Sequence, residues 1–118
     1  MSNWAQTDPT TRSQAARALV GKGITLGALD RSEEEIGAYN QVIRRFGEAT
    51  EPALRERVAK AMVYKGAALG ALNRNEEAIG AYDEVARRFG EAAEPALRDL
   101  VTRAKAAKKK LNRKAPKH

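Results

Sequence analysis

The sequence predicts an all-α fold, an α-α solenoid of two helical hairpins followed by a capping helix, and three observations carry that prediction. The alphabet is helical: of 118 residues only 5% are aromatic, and Val and Ile are scattered rather than gathered into strand-like runs. The chain matches itself at an offset of 43 residues, with 26 of 43 positions identical between 9–51 and 52–94. Within each copy the apolar residues recur at three- and four-residue spacing, the period of one helix face.

Residues 1–8 form an N-terminal extension holding Trp4, the only tryptophan, which is expected to cover an exposed apolar edge of the first hairpin. The first repeat, 9–51, places helices at about 9–29 and 32–46, and the second, 52–94, at about 52–72 and 75–89. Pro9 and Pro52 suit a first turn, where the missing N–H would have had no partner. In the second copy Leu54, Val58, Ala61, Met62, Lys65, Leu69 and Leu72 make one stripe, and Ile79, Tyr82, Val85, Ala86 and Phe89 the buried face of the shorter helix. Ser32 to Glu35 reads as a capping box, Asn75 as an N-cap, and Gly90 after Arg87-Arg88 as a C-cap. Pro95, Ala96, Leu97, Arg98, Val101, Ala104 and Lys108 start a third copy whose match stops there. The segment 95–113 is therefore a capping helix, and 114–118 a disordered basic tail. One hairpin cannot bury its own apolar face, so stacking of the copies supplies the core.

Leu19, Lys22-Gly23, Leu26, Leu29, Tyr39 and Val42, with Met62, Lys65-Gly66, Leu69, Leu72, Ala78, Tyr82 and Val85 in the second copy, resemble the tetratricopeptide repeat (TPR) family. The likeness covers most of 19–46 and 62–89, in register twice. The period is 43 rather than the usual ~34, and the extra residues lie in EATEPALRE and EAAEPALRD, which lengthen the first helix of each hairpin. Glu35 stands where Ala78 supplies the family's small residue, which predicts a looser first hairpin. The resemblance implies that Gly66 packs closely on Ala78, and that the first helices of successive repeats line a concave groove for a peptide or a partner helix. By position that groove holds Arg17, Val20, Gly21 and Ile24, then Lys60, Val63, Tyr64 and Ala67, then Arg103, Ala106 and Lys110, with Gly27 and Gly70 further along. It lacks an asparagine-rich lining for a C-terminal carboxylate. The competing reading is that Val20, Ile24, Val63 and Tyr64 pack between helices or against another copy of the chain. Gly37 and Gly80 fall on a face expected to be exposed, with no role assigned.

Lys and Arg outnumber Asp and Glu by 22 to 15, but eight of the basic residues lie in 102–118 with no acid among them; residues 1–101 hold 14 basic against 15 acidic. The basic character belongs to the C-terminal segment, where a solvated cap on the solenoid end explains it. Nucleic-acid association through Lys105 to Lys117 has less in its favour, since no aromatic residue is interleaved for base stacking. Arg44-Arg45 and Arg87-Arg88 are expected to complement helix dipoles and pair with glutamates. Cysteine is absent, and the one histidine, His118, is the last residue; no nucleophile with a base, phosphate loop or metal-ligand spacing is present. No catalytic residue, cofactor or metal is therefore expected. Without a secretion signal or a membrane-spanning stretch the expected location is cytoplasmic. The sequence points to a non-enzymatic protein-binding module, with a self-assembling structural unit as the alternative.

Overall fold

The computed structural model describes residues 9–114; the expectations for Trp4, the extension 1–8 and the tail 115–118 with His118 lie outside the described residues. Five α-helices follow one another: α1 (Pro9–Ala28), α2 (Ser32–Phe46), α3 (Pro52–Ala71), α4 (Asn75–Phe89) and α5 (Pro95–Lys114). No strand occurs among the described residues. The fold is all-α, as the sequence predicts, and the helix limits lie within a residue of those expected.

The turn inside each hairpin is set by one residue in the left-handed region, Asp30 at φ 59° and Asn73 at φ 61°. The next amide reaches back across it: Arg31 N–H donates to the Leu26 carbonyl and Arg74 N–H to that of Leu69, both at 2.9 Å. Asp30 and Asn73 themselves donate to the carbonyls of Gly27 and Gly70 at 3.0 Å. This is a Schellman closure with Asp or Asn in the place usually given to glycine, a substitution their short polar side chains tolerate.

The expected side-chain caps do not form. Arg31 and Arg74 occupy the N-cap positions of α2 and α4 without a side-chain cap bond, leaving Ser32 and Asn75 inside the helices. Arg31 instead grips Glu34 through two bonds of 2.6 and 2.7 Å, and Arg74 grips Glu77 at 2.7 and 2.8 Å. Each fork holds an acid in the first turn, where the helix dipole favours it. Gly90 does follow α4, but with φ −61° rather than in the left-handed region; its Cβ would collide with the Ala86 carbonyl, and one on Gly47 with that of Ile43. Glycine is needed at both sites for close approach.

The helices form two layers. α1, α3 and α5 lie side by side, each in contact with the next. α2 and α4 pack on that layer, each against the helices before and after it, and their backbones do not approach one another closely. Leu54, Val58, Leu69, Val42, Val85, Tyr39 and Leu97 are fully buried between the layers, with no buried charge among the described residues. Ile79 and Ala86, expected in the core, are half-buried.

Glycine contacts correct two further expectations. A Cβ on Gly66 would lie 2.6 to 3.0 Å from ring atoms of Tyr82, so Gly66 seats the Tyr82 ring rather than packing on Ala78; Gly23 seats Tyr39 in the same way. The first hairpin is not looser than the second. Glu35 lies over Gly27, where a Cβ would come within 2.7 Å of its carboxylate, and accepts a 2.9 Å bond from the Tyr39 hydroxyl.

Hairpins are tied together at matching positions. Arg12 pairs with Glu51 at 2.8 Å and Arg55 with Glu94 at 2.9 Å, each from the start of a long helix to the residue before the next proline. Arg74 also reaches Glu33 at 3.3 Å, and Arg88 donates to the Gly47 carbonyl. Arg55 and Arg88 each lie 5.6 Å from the centre of the Phe89 ring, which they cover.

Candidate interaction surface

The outer face of the α1–α3–α5 layer carries most of the residues the sequence assigned to a groove. Arg17, Gly21 and Ile24 on α1, Ala67 and Ala71 on α3, and Arg103, Ala106 and Lys110 on α5 are exposed. Ile24 is 51% exposed, a large apolar side chain left in water. Arg17, Arg103 and Lys110 have no ion-pair partner among the described residues, whereas Lys60 is half-buried and held by Glu56 at 3.3 Å.

Two assigned residues do not belong to an open surface. Val20 and Val63 are 4% and 6% exposed and are part of the core. Burying a branched apolar side chain in this way is favoured by roughly 2 kcal/mol over exposing it. Tyr64 is half-buried, its ring 6.0 Å from that of Tyr39 and tilted by 60°, an edge-on aromatic contact. Gly27 is covered by Glu35, while Gly70 has only a Leu111 methyl at 3.8 Å near its Cβ position.

Two cavities flank α3. The first, about 430 Å³, opens between α2 and α4, whose backbones stand apart; Met62 and Leu69 line it together with Glu77, Glu84 and Arg88. Gly80 lines it with nothing within 4 Å of its Cβ position, and Gly37 is equally free. The second, about 360 Å³, lies between α3 and α5. Ala67, Gly70 and Ala71 line one wall, Ala107 and Leu111 the other, with Lys110 at its edge and Tyr82 reaching it from α4.

The two tyrosines that sit on glycines differ in their surroundings. Burial, reinforced by the hydrogen bond to Glu35 and by that carboxylate's charge, pushes the Tyr39 hydroxyl far above the ordinary phenol range. Burial alone raises Tyr82, which is 5% exposed and makes no hydrogen bond to any described residue. Sequence reading missed Tyr82 as a surface-lining residue; the signal for it was the departure of position 78 from its repeat partner, Glu35.

The basic α5 is partly engaged in the fold: Lys108 pairs with Asp83 of α4 at 2.7 Å. Arg87 pairs with Glu84, and Arg45 lies 5.2 Å above the Phe46 ring. No helix among the described residues is long and apolar enough to cross a membrane, and no group of three or more His, Cys, Asp or Glu there could hold a metal ion. Compared with models of protein families, with curated proteins and with solved structures, the chain matches none.

Proposed function

We propose that this chain is a non-enzymatic interaction module that takes a partner peptide or helix along the outer face of its long-helix layer, the face that its resemblance to tetratricopeptide repeats singles out. The observation that carries the reading is the composition of that face: small and apolar Gly21, Ile24, Ala67, Ala71 and Ala106 run across three helices, and unpaired Arg17, Arg103 and Lys110 lie among them. A smooth strip of this kind admits a backbone closely, and the cations favour a partner with acidic side chains. Selection of peptides from a random library against the native chain tests it. The selected peptides are expected to be rich in Asp or Glu and to lose binding in Ile24→Asp and Ala67→Asp; retention by both variants would refute the groove. Val63→Asp is unsuitable, because it would place a charge in the core.

Self-assembly is favoured by one separate observation. Leu29 is 60% exposed, whereas Leu72 at the same repeat position is half-buried. A second copy shielding Leu29 would remove that exposure. Light scattering over a concentration series would then show a dimer that Leu29→Glu dissolves, and a monomer at all concentrations would exclude it.

A further inference from the structure

Around Tyr82, which lines the cavity between α3 and α5, the second repeat lacks two side chains that surround Tyr39 in the first. In the first repeat the Tyr39 hydroxyl donates to Glu35, whose carboxylate lies over Gly27, and the Tyr64 ring packs against Tyr39. Forty-three residues later Tyr82 and Gly70 are retained, but Glu35 becomes Ala78 and Tyr64 becomes Ala107. Both side chains that enclosed Tyr39 are missing around Tyr82, and about 360 Å³ opens beside it. Tyr82, 5% exposed, lines that space, and its hydroxyl, which keeps contact with solvent, has no hydrogen-bond partner among the described residues. The first repeat shows what the space accommodates: a carboxylate accepting from the tyrosine, and an aromatic ring against it. The added feature is Lys110, which replaces Ala67 at the corresponding position and brings a cation to the edge.

We propose that this cavity is a binding pocket for an acidic side chain beside an aromatic one, both supplied by a segment of a protein partner. The partner's carboxylate takes the place of Glu35, accepting from the Tyr82 hydroxyl over Gly70 with Lys110 neutralising it, and its ring takes the place of Tyr64 against Ala107. A segment rather than a free acid is the occupant because the first repeat fills the same space with side chains from two different elements, and because the cavity opens beside Ala67 and Ala71 on the face already assigned to a partner. The inference rests on that assignment for its source of ligand, and on the repeat comparison for its chemistry.

The test is an NMR titration of the native chain with the capped tetrapeptides Ala-Phe-Glu-Ala and Ala-Glu-Phe-Ala, their Gln counterparts, and 3-phenylpropionate as the free acid. At least one Glu peptide is expected to give saturable shifts at Tyr82, Gly70 and Ala107, with its Gln counterpart about tenfold weaker, the effect of losing a charge-assisted bond. Tyr82→Phe should weaken the Glu peptide by a similar factor and leave the Gln peptide unchanged. The double variant Ala78→Glu, Ala107→Tyr rebuilds the arrangement seen around Tyr39, so it should fold and should abolish binding by filling the pocket. Equal binding of Glu and Gln peptides, or undiminished binding by the folded double variant, would overturn the proposal. So would binding of 3-phenylpropionate alone. Shifts confined to Gly21 and Ile24 would sink the pocket and keep the wider groove; shifts confined to Tyr82, Gly70 and Ala107 would do the reverse.

Discussion

Replacing Gly66 by alanine and, separately, Gly80 by alanine makes one chemical change in two environments and measures what the glycines do. Both residues lie inside helices, α3 and α4, so each Gly→Ala exchange gains about 1 kcal/mol from the smaller entropy loss on folding. At Gly80 nothing lies within 4 Å of the new methyl group, and the gain is kept. At Gly66 the methyl would sit 2.6 Å from one Tyr82 ring carbon and 2.7 Å from another, about 1 Å inside ordinary carbon–carbon contact. The ring is 5% exposed and cannot swing into water, so α3 and α4 must separate or the ring must leave its rotamer. Overpacking of that kind costs roughly 3 kcal/mol at the upper end of its usual range. Gly66→Ala is therefore expected to lose about 2 kcal/mol net while Gly80→Ala gains about 1, a separation of ~3 kcal/mol. For a chain of this length that is about 10 °C between the two transition midpoints, read by circular dichroism with urea unfolding as a check. Equal stabilisation by both substitutions would refute the close contact on which the hairpin geometry depends.

Asn73→Ala is expected to cost about 1 kcal/mol in urea unfolding because it forces a Cβ-bearing residue without a local hydrogen-bonding group to keep φ 61°, and Asn73→Gly should cost none of it. A double-mutant cycle on Arg55 and Glu94, both about one-third exposed, should return a coupling of ~0.5 kcal/mol that falls with added salt. Tyr39→Phe should destabilise by about 2 kcal/mol, since it leaves Glu35 without its donor, and Tyr82→Phe should be near neutral. The same contrast appears in alkali: Tyr39 binds its proton more tightly folded than unfolded, so its contribution is complete below the ordinary phenol pKa and is lost as pH rises above it. Ultraviolet titration should show the phenolate of Tyr39 only with unfolding. At the acid end, the Arg74 hydrogen bond lowers the Glu77 pKa, so the stability difference between the native chain and Arg74→Ala should be present at neutral pH and vanish as pH falls through the carboxylate range.

Much of this fold can be read from the chain because its signals are periodic and repeated. The 3.6-residue stripe placed the helices, Pro9, Pro52 and Pro95 marked their starts, and the 43-residue self-match paired the hairpins. The misreadings share one physical source. A capping box and an N-cap asparagine are local motifs that compete with alternatives, and here the guanidinium forks of Arg31 and Arg74 supplied a charge-assisted contact to the same first turn. Val20 and Val63 were placed on an outer face by family position, yet in this chain both are buried in the core. Position on a repeat does not fix how closely adjacent helices approach, and that spacing decides whether an apolar residue is core or surface.

The candidate site was less legible because what defines it is a difference between repeats rather than their identity. Glu35 becoming Ala78 reads, in one dimension, as a return to the family's small residue, and Tyr64 becoming Ala107 as the fading of a third copy. Only the packing of α4 between α3 and α5 shows that Ala107 and Tyr82 line one cavity, and that Tyr82 lacks there the carboxylate that Tyr39 has. A site of this kind follows from duplication: one copy keeps the side chains that surround its tyrosine and accept from it, while the other loses them and keeps the tyrosine. The Tyr82 hydroxyl makes no hydrogen bond to any described residue and stays open to solvent, so against Gly66 tyrosine gives the fold nothing that phenylalanine would not, and the acceptor it can serve is one from outside the chain.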